Sequence, residues 1–479
     1  MPVGLRKGDE GQAGAGASQP PAYARAVYAQ RVAGPRSSLH PEQLVPIGGA
    51  LVVAATVAWG LAATAAGHDL GTASAPLLYR FSPGAAPAAA VAVAVLAAAV
   101  TVAPRLRTTT FTPWRFAAAA FVLGLTLRLG LGVARTGVEG LWAVYEVPGK
   151  EGASEYLPAL PAFDLGARFF LDTFAQLGTS LTVNAVGHPP GLLLTLHALG
   201  IDSAKGMAAL TIAVGGLSVP LVYALGRRLT DERTARAATL LYVFAPAAVL
   251  HGATSADALY ASLAVVAMIA LAGHGLRNAR GLRNKRGLTP RVAARVAGPA
   301  ALAAASFFSW ANLGVGALMA FIALRRDGVR SAAGLAIASA VGLVAFYGIL
   351  HLATGFDPVG AVRAAESVYR EGVASHRPYA FWVLGAPAAF LIAAGLPIAW
   401  LGLRALGAGE TVALALFAVL AISAVLGFTK AETERIYLFL VPPLCIAAAT
   451  VLPDRWLGPT LTALACQALA TELLFYTVW

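Results

Sequence analysis

The sequence predicts an all-α integral membrane protein with about 11–13 transmembrane helices, and three observations carry that prediction. First, the 479 residues are 58% hydrophobic and only 12% charged, against a charged share of about 25% in soluble globular domains. Second, the mean hydropathy is +0.71. Runs of Ala, Val, Leu and Gly about 20 residues long recur, each enough to cross a hydrocarbon core of roughly 30 Å as a helix. Third, those runs lack the alternation of a membrane β-barrel strand. Both cysteines, Cys445 and Cys466, fall in apolar runs, which gives neither a disulfide framework nor a metal site.

Taken in order, residues 1–44 are Gly, Ala, Pro and Ser with Arg6, Lys7, Arg25, Arg31 and Arg36. That composition cannot bury a core and predicts a disordered basic tail. It is not a signal peptide, because the first apolar run starts too late and has no cleavage pattern. Residues 45–479 form the polytopic domain. Spans are expected near 46–66, 85–103, 116–134, 204–226, 235–252, 255–273, 297–309, 311–324, 331–353, 379–402, 411–428, 436–452 and 457–478. Two of these, 297–309 and 311–324, are short enough to be one bent hairpin or a single crossing. Lys and Arg collect on the cytoplasmic side of membranes. With the tail inside, most of the 35 Lys and Arg, including the run Arg277–Arg295, fall on that side, and most of the 23 acids fall outside. The net charge of +12 therefore follows topology. Basic residues spread over short loops predict no nucleic-acid partner.

The outer segments look unlike the basic inner turns. The largest, 135–203, holds Glu155, Tyr156, Asp164, Asn184 and His188; 354–378 ends near Arg377; 429–435 packs Lys430, Glu432, Glu434 and Arg435 between two apolar helices; and a tight turn carries His251 and Asp257. Mixed charges at a membrane boundary are costly unless they pair or line a wet cavity. Four such clusters on one side predict one polar cavity opening outward. Simpler roles stand beside that reading. Glu432, Glu434 and Arg435 suit an interfacial ion-pair cluster, and Arg128, within a span, suits snorkelling or a structural pair. His188 before Pro189-Pro190 suits a helix cap. Asp164 suits a helix N-cap or the solvated face of an amphipathic interfacial stretch with Leu165, Phe169 and Phe170.

The span ending LTLRLGLG leads into an outer loop with an acid beside a tyrosine, Ser154-Glu155-Tyr156. After an interfacial helix comes Gly187-His188-Pro189-Pro190-Gly191-Leu192. An apolar helix with a Gly226-Arg227-Arg228 turn follows, then Asp257 opening a helix. Over residues 116–275 this order resembles the GT-C glycosyltransferases, in particular the polyprenyl-phosphate-sugar-using branch that includes protein mannosyltransferase-like and aminoarabinose transferase-like enzymes. The two spans 46–66 and 85–103 precede the part that carries the resemblance.

The resemblance implies a polyprenyl-phosphate-sugar donor, a glycan, lipid or protein acceptor, and a plasma-membrane enzyme working at the extracytoplasmic face. Such chemistry needs a carboxylate base and cations that hold the lipid phosphate. Glu155 is the first choice as base and Asp164 the second. Arg128, His188, Arg377, Lys430 and Arg435 are the candidates for the donor phosphate. Tyr156, Asp257, Glu432 and Glu434 would support them or bind sugar hydroxyls. No His/Cys/Asp spacing amounts to a metal site, although a divalent cation bridging acid and phosphate is compatible with this chemistry. The competing expectation is a transporter or flippase of a lipid-linked or small polar substrate, whose marks would be inverted repeats and broken helices. No phosphate-binding glycine loop or dinucleotide fingerprint is present.

Overall fold

The structure, a computed structural model, describes residues 40–108, 110–147, 149–275 and 288–477. The expected tail up to residue 39 and most of the basic run after Arg277 lie outside the described residues. The first helix begins at Pro41, ahead of the expected span boundary, with proline in the first turn where its missing N–H costs nothing.

The described residues open with α1 Pro41–Ala65, α2 Ala89–Thr108 and α3 Pro113–Gly132. Short helices then fold the outer loop: α4 Ala167–Thr173, α5 Val183–Gly187 and α6 Gly191–Leu199, with 3-10 turns between. The bundle continues with α7 Ala204–Gly216, α8 Ser218–Leu229, α9 Glu232–Phe244, α10 Pro246–Thr254, α11 Asp257–Gly275, α12 Leu288–Ser306, α13 Leu313–Asp327 and α14 Val329–Thr354. It closes with α15 Pro358–Glu371, α16 Tyr379–Ala394, α17 Leu396–Gly407, α18 Thr411–Leu426, α19 Thr433–Ile436, α20 Val441–Val451 and α21 Leu457–Leu474. Strand among the described residues is confined to β1 Arg80–Phe81 and β2 Phe475–Tyr476, paired antiparallel.

Helix covers each of the thirteen expected spans, but fewer qualify as full crossings. Among the described residues, six helices are long and apolar enough to cross a membrane, or up to eight if each of two bent pairs counts as one span. This is a multi-pass all-α membrane protein. Several of the expected spans are broken or short. The expected span 235–252 breaks by 59° between α9 and α10, because Pro246 holds Ala245 in an extended conformation. The expected span 379–402 breaks by 115° between α16 and α17. There Gly395 takes φ +111, which a side chain rarely tolerates. Others, such as α18, are apolar but short.

The main core runs through α3, α8–α11, α13, α17, α18, α20 and α21. A second core lies beneath the outer loop, where Tyr145, Phe163, Phe170, Phe174, Leu192 and Phe356 pack together. The loop 135–203 is thus a folded cap.

Contacts sort the polar turns into two groups. Arg107 and Arg233 both pair with Asp454. Arg236 donates to the Phe111 carbonyl at 2.6 Å, and Arg326 to that of Leu229 at 2.9 Å. All of these belong to the turns expected inside. The segments expected outside contact one another instead, and they build the site.

Candidate functional site

Four sequence-distant segments meet at that other end. Arg435, on the one-turn helix α19, donates to Asp257 at 2.7 Å and to Glu432 at 2.7 Å. Glu432 also accepts from Arg377 at 2.8 Å, so two guanidiniums share one carboxylate. Arg377 donates its other nitrogen to the Lys430 carbonyl at 2.7 Å. Ser255 donates to Asp257 at 2.8 Å. Arg435, Asp257 and Arg377 are buried, while Glu432 keeps 16% of its side chain accessible. A guanidinium suits this arrangement because its planar fork can serve two carboxylates at once.

The outer loop supplies the adjoining wall. Tyr260 donates to the Tyr156 hydroxyl at 2.8 Å, and Tyr156 bonds His188 Nδ1 at 3.0 Å. Glu155 is buried, with one carboxylate oxygen accepting from Asn184 at 2.8 Å. The His188 ring lies 5.0 Å from that of Tyr260 and is close enough to sense the charges of Asp257, Arg435 and Glu432.

The backbone at the cluster is unusual. Ala431 and Glu432 both have positive φ, at 65° and 59°, a region that costs residues with a side chain roughly 1 kcal/mol or more each. The turn aims Glu432 back between Arg377 and Arg435. Tyr369 holds the preceding residue from both sides, donating to the Lys430 carbonyl at 3.2 Å and accepting from its N–H at 2.7 Å.

Ionisation follows from these surroundings. Burial disfavours a charge on Glu432, but the guanidiniums of Arg435 and Arg377 outweigh it and hold the carboxyl below its usual range. Burial pushes His188 below its ordinary value despite the opposing pull of Asp257. Burial, reinforced by Tyr260 and Glu155, pushes the Tyr156 hydroxyl well up. The site therefore holds its charge in the arginines and carboxylates, with neutral His188 and Tyr156 as hydrogen-bonding groups.

Of the residues singled out from the sequence, the structure brings together Glu155, Tyr156, His188, Asp257, Arg377, Glu432 and Arg435. Lys430 joins through its backbone. Glu434 sits behind the cluster, accepting from the Leu78 N–H at 2.6 Å. Arg128 is elsewhere: it donates to the Gly215 carbonyl at 2.7 Å and to Ser218 at 3.0 Å. It ties α3 to the α7–α8 junction, and Gly252 leaves it room, since a Cβ there would sit 2.7 Å from its Nε. Asp164 is exposed at the end of a 3-10 turn, and among the described residues no hydrogen bond or ion pair links it to the cluster. A cavity of about 540 Å³, lined by Tyr145, Glu146, Leu157, Pro158 and Asp202, opens beside the Glu155–Tyr156 segment.

Tyr260, Asn184 and Ser255 complete the network and were not singled out as site residues. Tyr260 is three residues after Asp257 and Asn184 four before His188, so helical spacing offered a signal for both. Among the described residues, no group of three or more His, Cys, Asp or Glu side chains is placed to hold a metal ion.

The fold and site together define the class: a multi-pass α-helical membrane protein with a buried ionic cluster, capped by a folded loop, at one end of its bundle. The chain matches no protein-family model, no curated protein and no solved structure. Any narrower reading rests on the residues themselves.

Proposed function

We propose that the protein is a GT-C-type membrane glycosyltransferase. It moves a sugar from a polyprenyl-phosphate donor to a glycan, lipid or protein acceptor at the extracytoplasmic face of the plasma membrane, with its N-terminus in the cytoplasm. The observation that supports this best is the meeting of an acid–tyrosine pair (Glu155, Tyr156), the histidine of the His-Pro-Pro string and two arginines in one cluster.

In this reading the acceptor hydroxyl attacks the anomeric carbon, and Glu155 takes its proton. The anomeric carbon–oxygen bond to phosphate breaks, and the lipid phosphate leaves with the electron pair. Asn184 holds one oxygen of Glu155, leaving the carboxylate oriented for that proton. Arg377 and Arg435 face the charge that builds on the leaving phosphate. Glu432, the most accessible member of the ionic cluster, is the carboxylate that yields its share of the guanidiniums to the phosphate. His188 stays neutral and positions donor or acceptor by hydrogen bonding.

The test is transfer by purified full-length protein from a panel of polyprenyl-phosphate sugars, with Glu155→Gln and Asp164→Asn beside wild type. Glu155→Gln should lower transfer by about 10²–10⁴-fold while melting as wild type does. Loss in Asp164→Asn alone would move the base to the cap's surface. A second reading, a transporter of a lipid-linked or small polar substrate, draws on the broken pairs α9/α10 and α16/α17. Movement of an intact donor across liposomes without sugar transfer would favour it.

A further inference from the structure

Residues 66–84, between α1 and α2, belong to the N-terminal pair of helices that the family resemblance leaves aside, yet they run across the site end of the bundle. This strap is anchored at its middle and at its far end. Near its midpoint it lies back on α1, where Gly60 leaves no room for a Cβ, which would sit 2.2 Å from the Ala75 carbonyl oxygen. Its far end is β1, paired with β2 after the last helix. Arg135 clamps that end by donating to Ser82 and, at 3.1 Å, to the Phe475 carbonyl.

Along its length the strap touches each segment that carries a member of the ionic cluster. Gly71, at φ +74, lies so close to Arg377 that a Cβ there would be 2.6 Å from its Cγ. The Leu78 N–H donates to Glu434, the neighbour of Arg435. The Tyr79 hydroxyl bonds His251 Nε2 at 2.8 Å. His251 lies on α10, whose end leads through Ser255 to Asp257. Consecutive strap residues, Leu78 and Tyr79, therefore hold the two segments that carry Arg435 and Asp257, which are 178 positions apart in sequence. The gripping groups Tyr79, His251 and Glu434 are all buried, so these contacts are made away from competing water. The strap also holds α16, through Trp382 donating to the Leu70 carbonyl at 3.0 Å, and α16 in turn accepts from Thr433 of α19 at 2.7 Å.

We infer that the 66–84 strap is a positioning element of the site, with Tyr79, Glu434 and Gly71 acting as positioning residues that hold Asp257, Arg435 and Arg377 in register. The consequence for lipid-phosphate binding rests on the proposed glycosyltransferase reading, whereas the mechanical coupling does not. Two measurements on the full chain in nanodiscs separate them: affinity for undecaprenyl phosphate, and backbone hydrogen exchange of residues 249–257 and 429–436. Tyr79→Phe keeps the ring and deletes the hydroxyl. It should weaken lipid-phosphate binding about tenfold, the scale of one hydrogen bond, and speed exchange in both segments together, with melting nearly unchanged. Gly71→Ala should act in the same direction through Arg377. Glu434→Leu, which removes the acceptor for the Leu78 N–H, should act in the same direction. If Tyr79→Phe lowers melting but leaves affinity and exchange at both segments unchanged, the strap is only a structural brace and the inference falls. If wild type does not bind the lipid phosphate, the glycosyltransferase reading fails. The exchange experiment then decides the strap alone: joint acceleration upholds it and no acceleration overturns it.

Discussion

Helix α14, Val329–Thr354, and the stretch Thr433–Val451 satisfy the same requirements of length and apolarity for a membrane span, yet they live in opposite surroundings. Only 17% of the most apolar window of α14 is buried within the protein, against 83% for Thr433–Val451. The first exposes Ile337, Val341, Val344 and Leu352, as a helix facing lipid must. The second is enclosed by other helices and carries Glu434 and Arg435 in its first turn. Hydropathy treats them alike because it measures side chains, whereas burial depends on neighbours. Lipid tolerates no unpaired charge at low cost, so ionic chemistry belongs on the span that protein surrounds.

The sharpest test of that contrast is Arg435→Met. It leaves Asp257 buried without its counter-ion and Glu432 with Arg377 alone, and should cost about 3–5 kcal/mol in thermal or denaturant unfolding. Adding Asp257→Asn should recover part of the loss in a double-mutant cycle. A purely packing change in the same enclosed stretch is next. Leu444, fully buried, should cost about 2–5 kcal/mol on truncation to Ala.

A smaller effect is expected from pH. His188 ordinarily titrates near 6.5, and burial holds it lower in the fold. As pH falls below 6.5 the unfolded chain takes up a proton that the folded imidazole refuses. The stability present above that value should decline as pH drops toward the folded one. His188→Gln should flatten this part of an unfolding-versus-pH curve. Glu432, held below its usual range, contributes in the same sense at lower pH: its stability is present above about 4.5 and is lost as pH falls through the lowered value. The smallest effect belongs to the lipid-facing span. Val344 is 74% exposed within the protein, and Val344→Ala should change unfolding by no more than about 0.5 kcal/mol. A loss as large as that of Leu444→Ala would mean that α14 is covered by a partner, and would break the comparison.

Much of this molecule was legible before any contact was known. Long apolar runs marked where helices form, since a backbone in lipid must satisfy its own hydrogen bonds. The segregation of acids from basic turns grouped the segments 135–203, 354–378 and 429–435 together, and these do converge. Three things escaped. The bends at Pro246 and Gly395 within two apolar runs were not seen, because a hydropathy window averages over a single bent residue. Arg128 resembled a site cation only because a charge within a span stands out, whereas its partners are the Gly215 carbonyl and Ser218 of a neighbouring turn. Tyr79 gave no signal: it lies in a loop without a motif, and its role depends on His251, 172 positions away.

The sequence by itself determined that the chain is helical and membrane-spanning, and which boundary gathers its acids. Both are local properties, set by side-chain polarity along stretches of about 20 residues. Only the tertiary structure decided that Glu432 is shared by Arg377 and Arg435, that Asp257 faces Arg435, and that the strap lies against the segments that carry them. Such pairings depend on how helices far apart in sequence pack side by side. At a boundary where a misplaced charge costs several kcal/mol, that packing selects among the ion pairs the composition would allow.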